Sequence, residues 1–239
     1  MTRSVAPLAH RSALATRLSR LVELDPADVA VLTEAGSAQR HYSARREIMA
    51  EGQPIREQRA LVSGWGYRQR IVSEGRRQIL SFVVPGDLIG VYPQSQPLAA
   101  AALLAITELS ICPAPTATPG SRLAEAYARS AALDERYLLA QVTRLGRYSA
   151  YERLADWLLE TYYRLALAGL VVGDRFRLPL TQELIADALG LTSVHVNRTL
   201  RAMRHDGLID LHVGTAFLLD RTRLAKLVDY EPPRVSEDE

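Results

Sequence analysis

Between Ser193 and Arg201 the residues Ser193, Val194, Asn197, Arg198 and Arg201 fall on one face of a helix at three-and-four spacing. Their types suit a polyanion with readable edges. An arginine guanidinium donates to both acceptors of one guanine, a contact carrying about 1–3 kcal/mol of discrimination, while a valine offers only apolar contact, for instance with a thymine methyl. From Ser193 to Arg204 there are three arginines and no acidic residue, in a chain whose formal net charge is only +2. Positive charge is thus gathered where phosphates would lie. The other face, Val196, Leu200 and Met203, is apolar, and Thr192 is placed to cap the helix N-terminus.

These side chains need a second helix to hold them. Thr181 is placed to cap one whose buried side is Leu184, Ile185, Ala188 and Leu189. Ala186 is small where two helices must cross, and Gly190 sits where a sharp turn favours positive φ. An ordinary helical hairpin with a solvated basic face shares these features, so the pair alone does not decide between the two readings. The residues after the pair shift the balance. Leu208–Val213 and Ala216–Leu219, around Gly214-Thr215, read as two short strands and a turn, the wing of a winged helix-turn-helix.

The stretch Leu180–Ile209 resembles the DNA-binding region of the Crp/Fnr family of bacterial transcription factors. Leu61–Gly90 is similar to that family's cyclic-nucleotide-binding-like β-roll, with Gly64, the Gly75 hairpin and the Pro85-Gly86-Asp87 turn before Gly90. Ser149–Glu160 looks like the helix that opens the family's DNA-binding domain. By family position, Ser193, Val194 and Arg198 would read base edges, and Thr181, Gln182, Thr192 and His195 would touch phosphate. Better-known members have arginine or glutamate where this chain has Ser193 and Val194, so their operator does not carry over. The implied partners are double-stranded DNA, a second copy of the chain and RNA polymerase.

Composition agrees. With 239 residues, 48% hydrophobic and 23% charged, the chain is long enough for two domains with real cores. Its longest apolar run, Pro97–Ile106, is about half the roughly 20 residues of a bilayer crossing, so no membrane is expected. One cysteine, Cys112, excludes an internal disulfide and fits a reducing cytoplasm. Met1–Arg20 carries Arg3, Arg11, Arg17 and Arg20 and no acid. Leu14, Leu18, Leu21 and Val22 suit an amphipathic helix there with the arginines on its surface; a disordered arm and, more distantly, a transit peptide share the composition.

The expected fold class is α+β. It comprises a helical segment over 1–37, a β-roll over 38–118, a long helix over 119–148, a winged helix-turn-helix over 149–230 and a disordered acidic tail over 231–239. Short apolar runs between glycines and prolines mark the roll, and proline-free Ser121–Arg147 marks the helix. Leu123, Tyr127, Leu138, Val142 and Leu145 share a stripe that suits a seam between two copies or, equally in kind, packing on the roll. Two paired helix-turn-helix units would then meet a palindrome.

The sensor is harder to read. In cyclic-AMP-binding members the stretch after the Gly-Asp-Leu turn supplies a glutamate and an arginine. Here no basic residue lies between Arg77 and Arg122, so cyclic AMP is not expected to bind in that way. Tyr92, Gln94, Ser95 and Gln96 offer hydrogen bonds to a neutral small ligand between roll and long helix, and equally suit a solvated loop. A four-cysteine iron–sulfur cluster is excluded by the single Cys112. Haem through His41 or Cys112 has little support, and no cofactor or metal is expected. The scattered histidines and the lack of a catalytic triad order or phosphate-cradling loop argue against an enzyme. The other open class is a small-molecule-binding module that acts through protein contacts.

Overall fold

The structure, a computed structural model, describes residues 12–90 and 97–235. Helix α1 (Ala13–Leu21) is capped by Ser12, whose Oγ accepts the Ala15 N–H at 3.1 Å, and α2 (Pro26–Ala35) comes next, with proline in its first turn. Leu14, Leu18, Leu21 and Val22 are buried, as an amphipathic helix requires. Arg17 departs from the expected surface position: it is fully buried and ion-paired to Asp87. A buried arginine needs a buried carboxylate, and the partner lies 70 residues away.

Among the described residues, eight short strands come after the helices: β1 (Arg40–Tyr42), β2 (Glu47–Met49), β3 (Arg59–Ser63), β4 (Gly66–Ile71), β5 (Arg77–Val83), β6 (Leu88–Ile89), β7 (Ala102–Ala105) and β8 (Leu109–Pro113). They form two antiparallel sheets, ordered β1-β8-β3-β6 and β2-β7-β4-β5. Leu61, Val83, Ile89, Leu103, Leu109 and Ile111 fill the space between them. Gly64 has φ +81°, and a Cβ there would stand 2.3 Å from the Glu108 carbonyl, so the β3–β4 turn admits glycine alone.

Helix α3 (Arg122–Arg147), capped by Ser121, is the long helix. It stops at Tyr148 because Ser149 and Glu152 build a capping box that starts α4 (Ala150–Leu167): Glu152 accepts the Ser149 N–H at 2.7 Å, and Ser149 Oγ accepts the Glu152 N–H at 3.4 Å. Then come β9 (Val171–Val172), β10 (Arg175–Arg177), α5 (Gln182–Leu189), α6 (Ser193–His205), β11 (Ile209–His212), β12 (Thr215–Leu218) and α7 (Arg221–Leu227). The wing is larger than the two strands read from sequence, since β9 and β10 extend it to the order β11-β12-β10-β9. Within the tail expected to be disordered, Val235 packs against an apolar cluster.

The largest apolar cluster crosses the junction of the two halves, joining Trp65, Ile79 and Phe82 of the roll to Trp157, Leu158 and Leu189 of the C-terminal half. Phe82 sits between the indoles of Trp65 and Trp157, at ring-centroid distances of 6.4 and 5.7 Å. Apolar area shared in this way sets the orientation of the C-terminal helices on the roll.

Candidate nucleic-acid interface

The helix pair is built as its sequence demands. Thr181 Oγ1 accepts the Leu184 N–H, and Thr192 Oγ1 accepts the His195 N–H, both at 3.2 Å. Each hydroxyl keeps its own proton to donate outward. Ile185, Ala186, Ala188 and Leu189 of α5 meet Val196, Leu200 and Met203 of α6 in the core. Gly190 turns the chain at φ +63°. A Cβ there would lie 3.3 Å from Leu145 Cδ2, so both backbone and neighbour favour glycine.

The other face of α6 is open. Ser193, Val194, His195, Arg198 and Arg201 are exposed, Val194 at 75%. Together with Gln182 and Asn197, four of these, Ser193, Val194, Arg198 and Arg201, line one shallow concavity. Asn197 is half-buried and donates through Nδ2 to Gln182 Oε1 at 3.0 Å, which holds the Gln182 amide by its oxygen. The acids nearest in sequence are engaged elsewhere: Asp187 and, beyond it, Glu183 face Arg77, and Asp206 accepts from the Tyr151 hydroxyl at 2.8 Å. That bond and its neighbours hold the Asp206 carboxyl below its usual range. Arg204 bonds the Leu200 carbonyl at 3.4 Å. The charge of Arg198 and Arg201 is therefore not neutralised by any ion pair among the described residues. Thr181, at the N-terminus of α5, and Thr192, at that of α6, bring the positive ends of two helix dipoles to the surface.

Sequence reading missed the side chains that aim this face. Arg77 of β5 ion-pairs with Asp187 of α5, and Gln78 donates to the Asp187 carbonyl at 3.0 Å. From α3, Gln141 donates to the Ala188 carbonyl at 2.6 Å, and Arg153 of α4 bonds the Leu189 and Leu145 carbonyls at 2.9 and 3.0 Å. Beneath them lies a buried ionic chain. Arg17 (α1) meets Asp87 (roll), Asp87 meets Arg164 (α4) at 2.7 Å, and Arg144 (α3) meets Glu160 and Asp156 (α4), both at 2.6 Å. Burial pushes the Asp87 carboxyl up, but Arg164 and Arg17 outweigh it and hold it below the usual range. Burial pushes the Asp156 carboxyl up, against the pull of Arg144.

The five residues of the expected seam differ in their surroundings within the chain. Leu123 and Tyr127 are buried against α1 and the roll, and Leu145 turns toward Gly190 in the same chain. A long helix that packs its own roll along one face has only another to offer outward. That face carries Leu138, Leu139 and Val142, which are 51%, 60% and 69% exposed. Tyr92, Gln94, Ser95 and Gln96 lie outside the described residues. Cys112 is buried, and its burial pushes the thiol up. Among the described residues no group of histidine, cysteine and carboxylate side chains is placed to hold a metal, and no helix is long and apolar enough to cross a membrane.

Known proteins share this arrangement. Residues 152–227 match the Crp-like helix-turn-helix domain. The nitrogen fixation regulation protein FixK of Bradyrhizobium diazoefficiens is 31% identical over 192 residues, covering 78% of this chain and 80% of that protein. The transcriptional activatory protein AadR of Rhodopseudomonas palustris is 30% identical over 210 residues, covering 86% and 87%. The solved structure of FixK2 from Bradyrhizobium japonicum superposes with a TM-score of 0.68 at 29% identity, over 79% of this chain and 96% of that one. On this likeness of sequence, fold and helix pair, the chain belongs to the Crp/Fnr family of transcriptional regulators.

Proposed function

We propose that the chain binds a palindromic DNA duplex as a homodimer and so regulates transcription. The observation that carries this is the exposed, unneutralised face of α6. Ser193, Val194 and Arg198 read base edges, with Arg198 as the main contact to guanine. Thr181, Gln182, Thr192, His195 and Arg201 hold phosphates, and Asn197 keeps Gln182 in place. Leu138, Leu139 and Val142 form the seam between two copies, which places two recognition helices for half-sites about 34 Å apart. The roll over 38–118 serves as sensor or scaffold without the arginine that cyclic AMP uses elsewhere in the family. The bound dimer acts on RNA polymerase from the cytoplasm and catalyses no reaction.

Selection of bound duplexes from a random pool by the purified chain tests this reading. The expected result is a palindromic consensus bound in a salt-dependent manner, with affinity lowered about tenfold or more and base preference relaxed in Arg198→Ala. Recovery of no consensus, or an unchanged consensus and affinity in Arg198→Ala, overturns it. A module acting only through protein contacts would give no enrichment at all.

A further inference from the structure

Helix α5 ends at Leu189, and only Gly190, Leu191 and Thr192 stand between it and the recognition helix. The N–H groups of Gly190 and Leu191 both return to the Ala186 carbonyl, the second at 3.0 Å. The carbonyls of Asp187, Ala188 and Leu189 are left, as the last carbonyls of a helix are, to be satisfied from outside it. Side chains of three other elements take them. Gln78 of β5 donates to Asp187 at 3.0 Å, Gln141 of α3 donates to Ala188 at 2.6 Å, and Arg153 of α4 donates to Leu189 at 2.9 Å. The same Gln78 amide reaches the Ala188 carbonyl at 3.5 Å, so one acceptor is shared by the roll and the long helix.

Gln141 does more than satisfy a carbonyl. Its Oε1 accepts from Arg144 and its Nε2 donates to Ala188, so the half-buried amide is bonded at both ends. Turned over, it would set oxygen against a carbonyl and nitrogen against a guanidinium, and this fixes its orientation. Arg144 is 1% exposed and is held in turn by Asp156 and Glu160 of α4, both at 2.6 Å. An unbroken run of hydrogen bonds therefore passes from α4 through Arg144 and Gln141 to the last turn of α5. Moving α3 against the helix pair breaks a bond of that run, and away from water such a bond is not readily replaced.

We infer that Gln141 and Gln78 are positioning residues for DNA binding. By sharing the Ala188 carbonyl they fix how the helix pair sits on the long helix and on the roll, and neither touches the duplex. The inference rests on the DNA-binding reading. The setting held here leaves the recognition face open. Without the Gln141 amide the pair spreads over other settings, of which few match two half-sites at a fixed spacing. If about one third of the copies keep the matching setting, and both copies of a dimer must do so, affinity falls about tenfold.

Full-length Gln141→Met, Gln141→Glu and Gln78→Met, each titrated with the duplex that the wild type selects, test this. Methionine keeps the length of the side chain and loses the amide, while glutamate keeps the acceptor for Arg144 and loses the donor to Ala188. The expected result is a Kd raised about tenfold in both Gln141 variants and about threefold in Gln78→Met, whose lost bonds are longer. The consensus and the slope of log affinity against log salt should stay as they are, because no base or phosphate contact is removed. A merely structural role would lower the fraction of protein able to bind, read by stoichiometric titration, and leave the Kd of that fraction alone. An unchanged or tighter Kd in the Gln141 variants overturns the inference. So does a changed consensus or salt slope, which would make Gln141 a DNA contact. Should the Gln141 variants fail to fold, Gln78→Met on the roll decides, and an unchanged Kd there overturns the inference equally. A wild type that selects no duplex sinks the DNA-binding reading and this inference together, whereas a wild type and variants that bind the selected duplex alike sink this inference alone.

Discussion

Replacing Asp87 by alanine removes the centre of the ionic chain that joins α1, the roll and α4. The carboxylate is 2% exposed; Oδ1 accepts from Arg17, while Oδ2 accepts from Arg164 at 2.7 Å and from the Val84 N–H at 2.8 Å. Its loss strands two buried guanidiniums, and removing one partner of a buried ion pair costs about 3–5 kcal/mol. Arg17 would retain Ser130 at 3.1 Å and Asp134 at 3.3 Å, and Arg164 would retain Glu160 at 3.7 Å. These leftovers place the expected loss near the lower bound, about 3 kcal/mol, or a fall in Tm of about 6–12 °C for a chain of this size. Urea unfolding followed by circular dichroism and by the fluorescence of Trp65 and Trp157 would measure it. A loss under about 1 kcal/mol would refute the view that this carboxylate holds the halves together. The same group has a pH signature. Its carboxyl is held below the usual 3.8, so its contribution is complete above that value and fades as pH falls through the depressed one. Below about pH 4 the wild type should therefore lose stability more steeply than Asp87→Asn.

Other expectations concern the interface and the seam. Arg201→Ala should weaken binding to all duplexes alike and reduce the slope of log affinity against log salt by about 1, as a salt titration would show; a changed consensus would contradict a phosphate role. Leu138→Asp combined with Val142→Asp should give a monomer in analytical ultracentrifugation and abolish tight palindrome binding, whereas a persisting dimer would place the seam elsewhere. Gly190→Ala should cost about 1–2 kcal/mol, from the left-handed backbone and the approach to Leu145, read as a lower midpoint in urea.

Some of this molecule is legible in its residues alone. Thr181, Gly190 and Thr192 mark their turns through local hydrogen bonds and local backbone geometry, and the apolar residues of α5 and α6 repeat at the helical period. The Ser149–Glu152 capping box is likewise local. The long helix is legible as a helix, but its outward face is not. Leu123 and Tyr127 look as apolar as Leu138 and Val142, and only the position of α1 and the roll decides which pair is covered. The short β9 and β10 escape because two- and three-residue strands carry too little alternation to stand out.

Arg17 and Asp87 show the difference most clearly. By type, the first reads as a surface cation on an amphipathic helix and the second as an ordinary turn residue, yet they meet in the dry centre of the molecule. What the amino-acid order determined alone was each element and the chemistry displayed along the recognition helix, because those depend on neighbours within a turn or two. The tertiary structure decided which charges are buried together, which face of α3 is left open, and how the recognition helix is aimed. Those depend on contacts between residues far apart in the chain, and desolvation makes such contacts strong only once packing has excluded water.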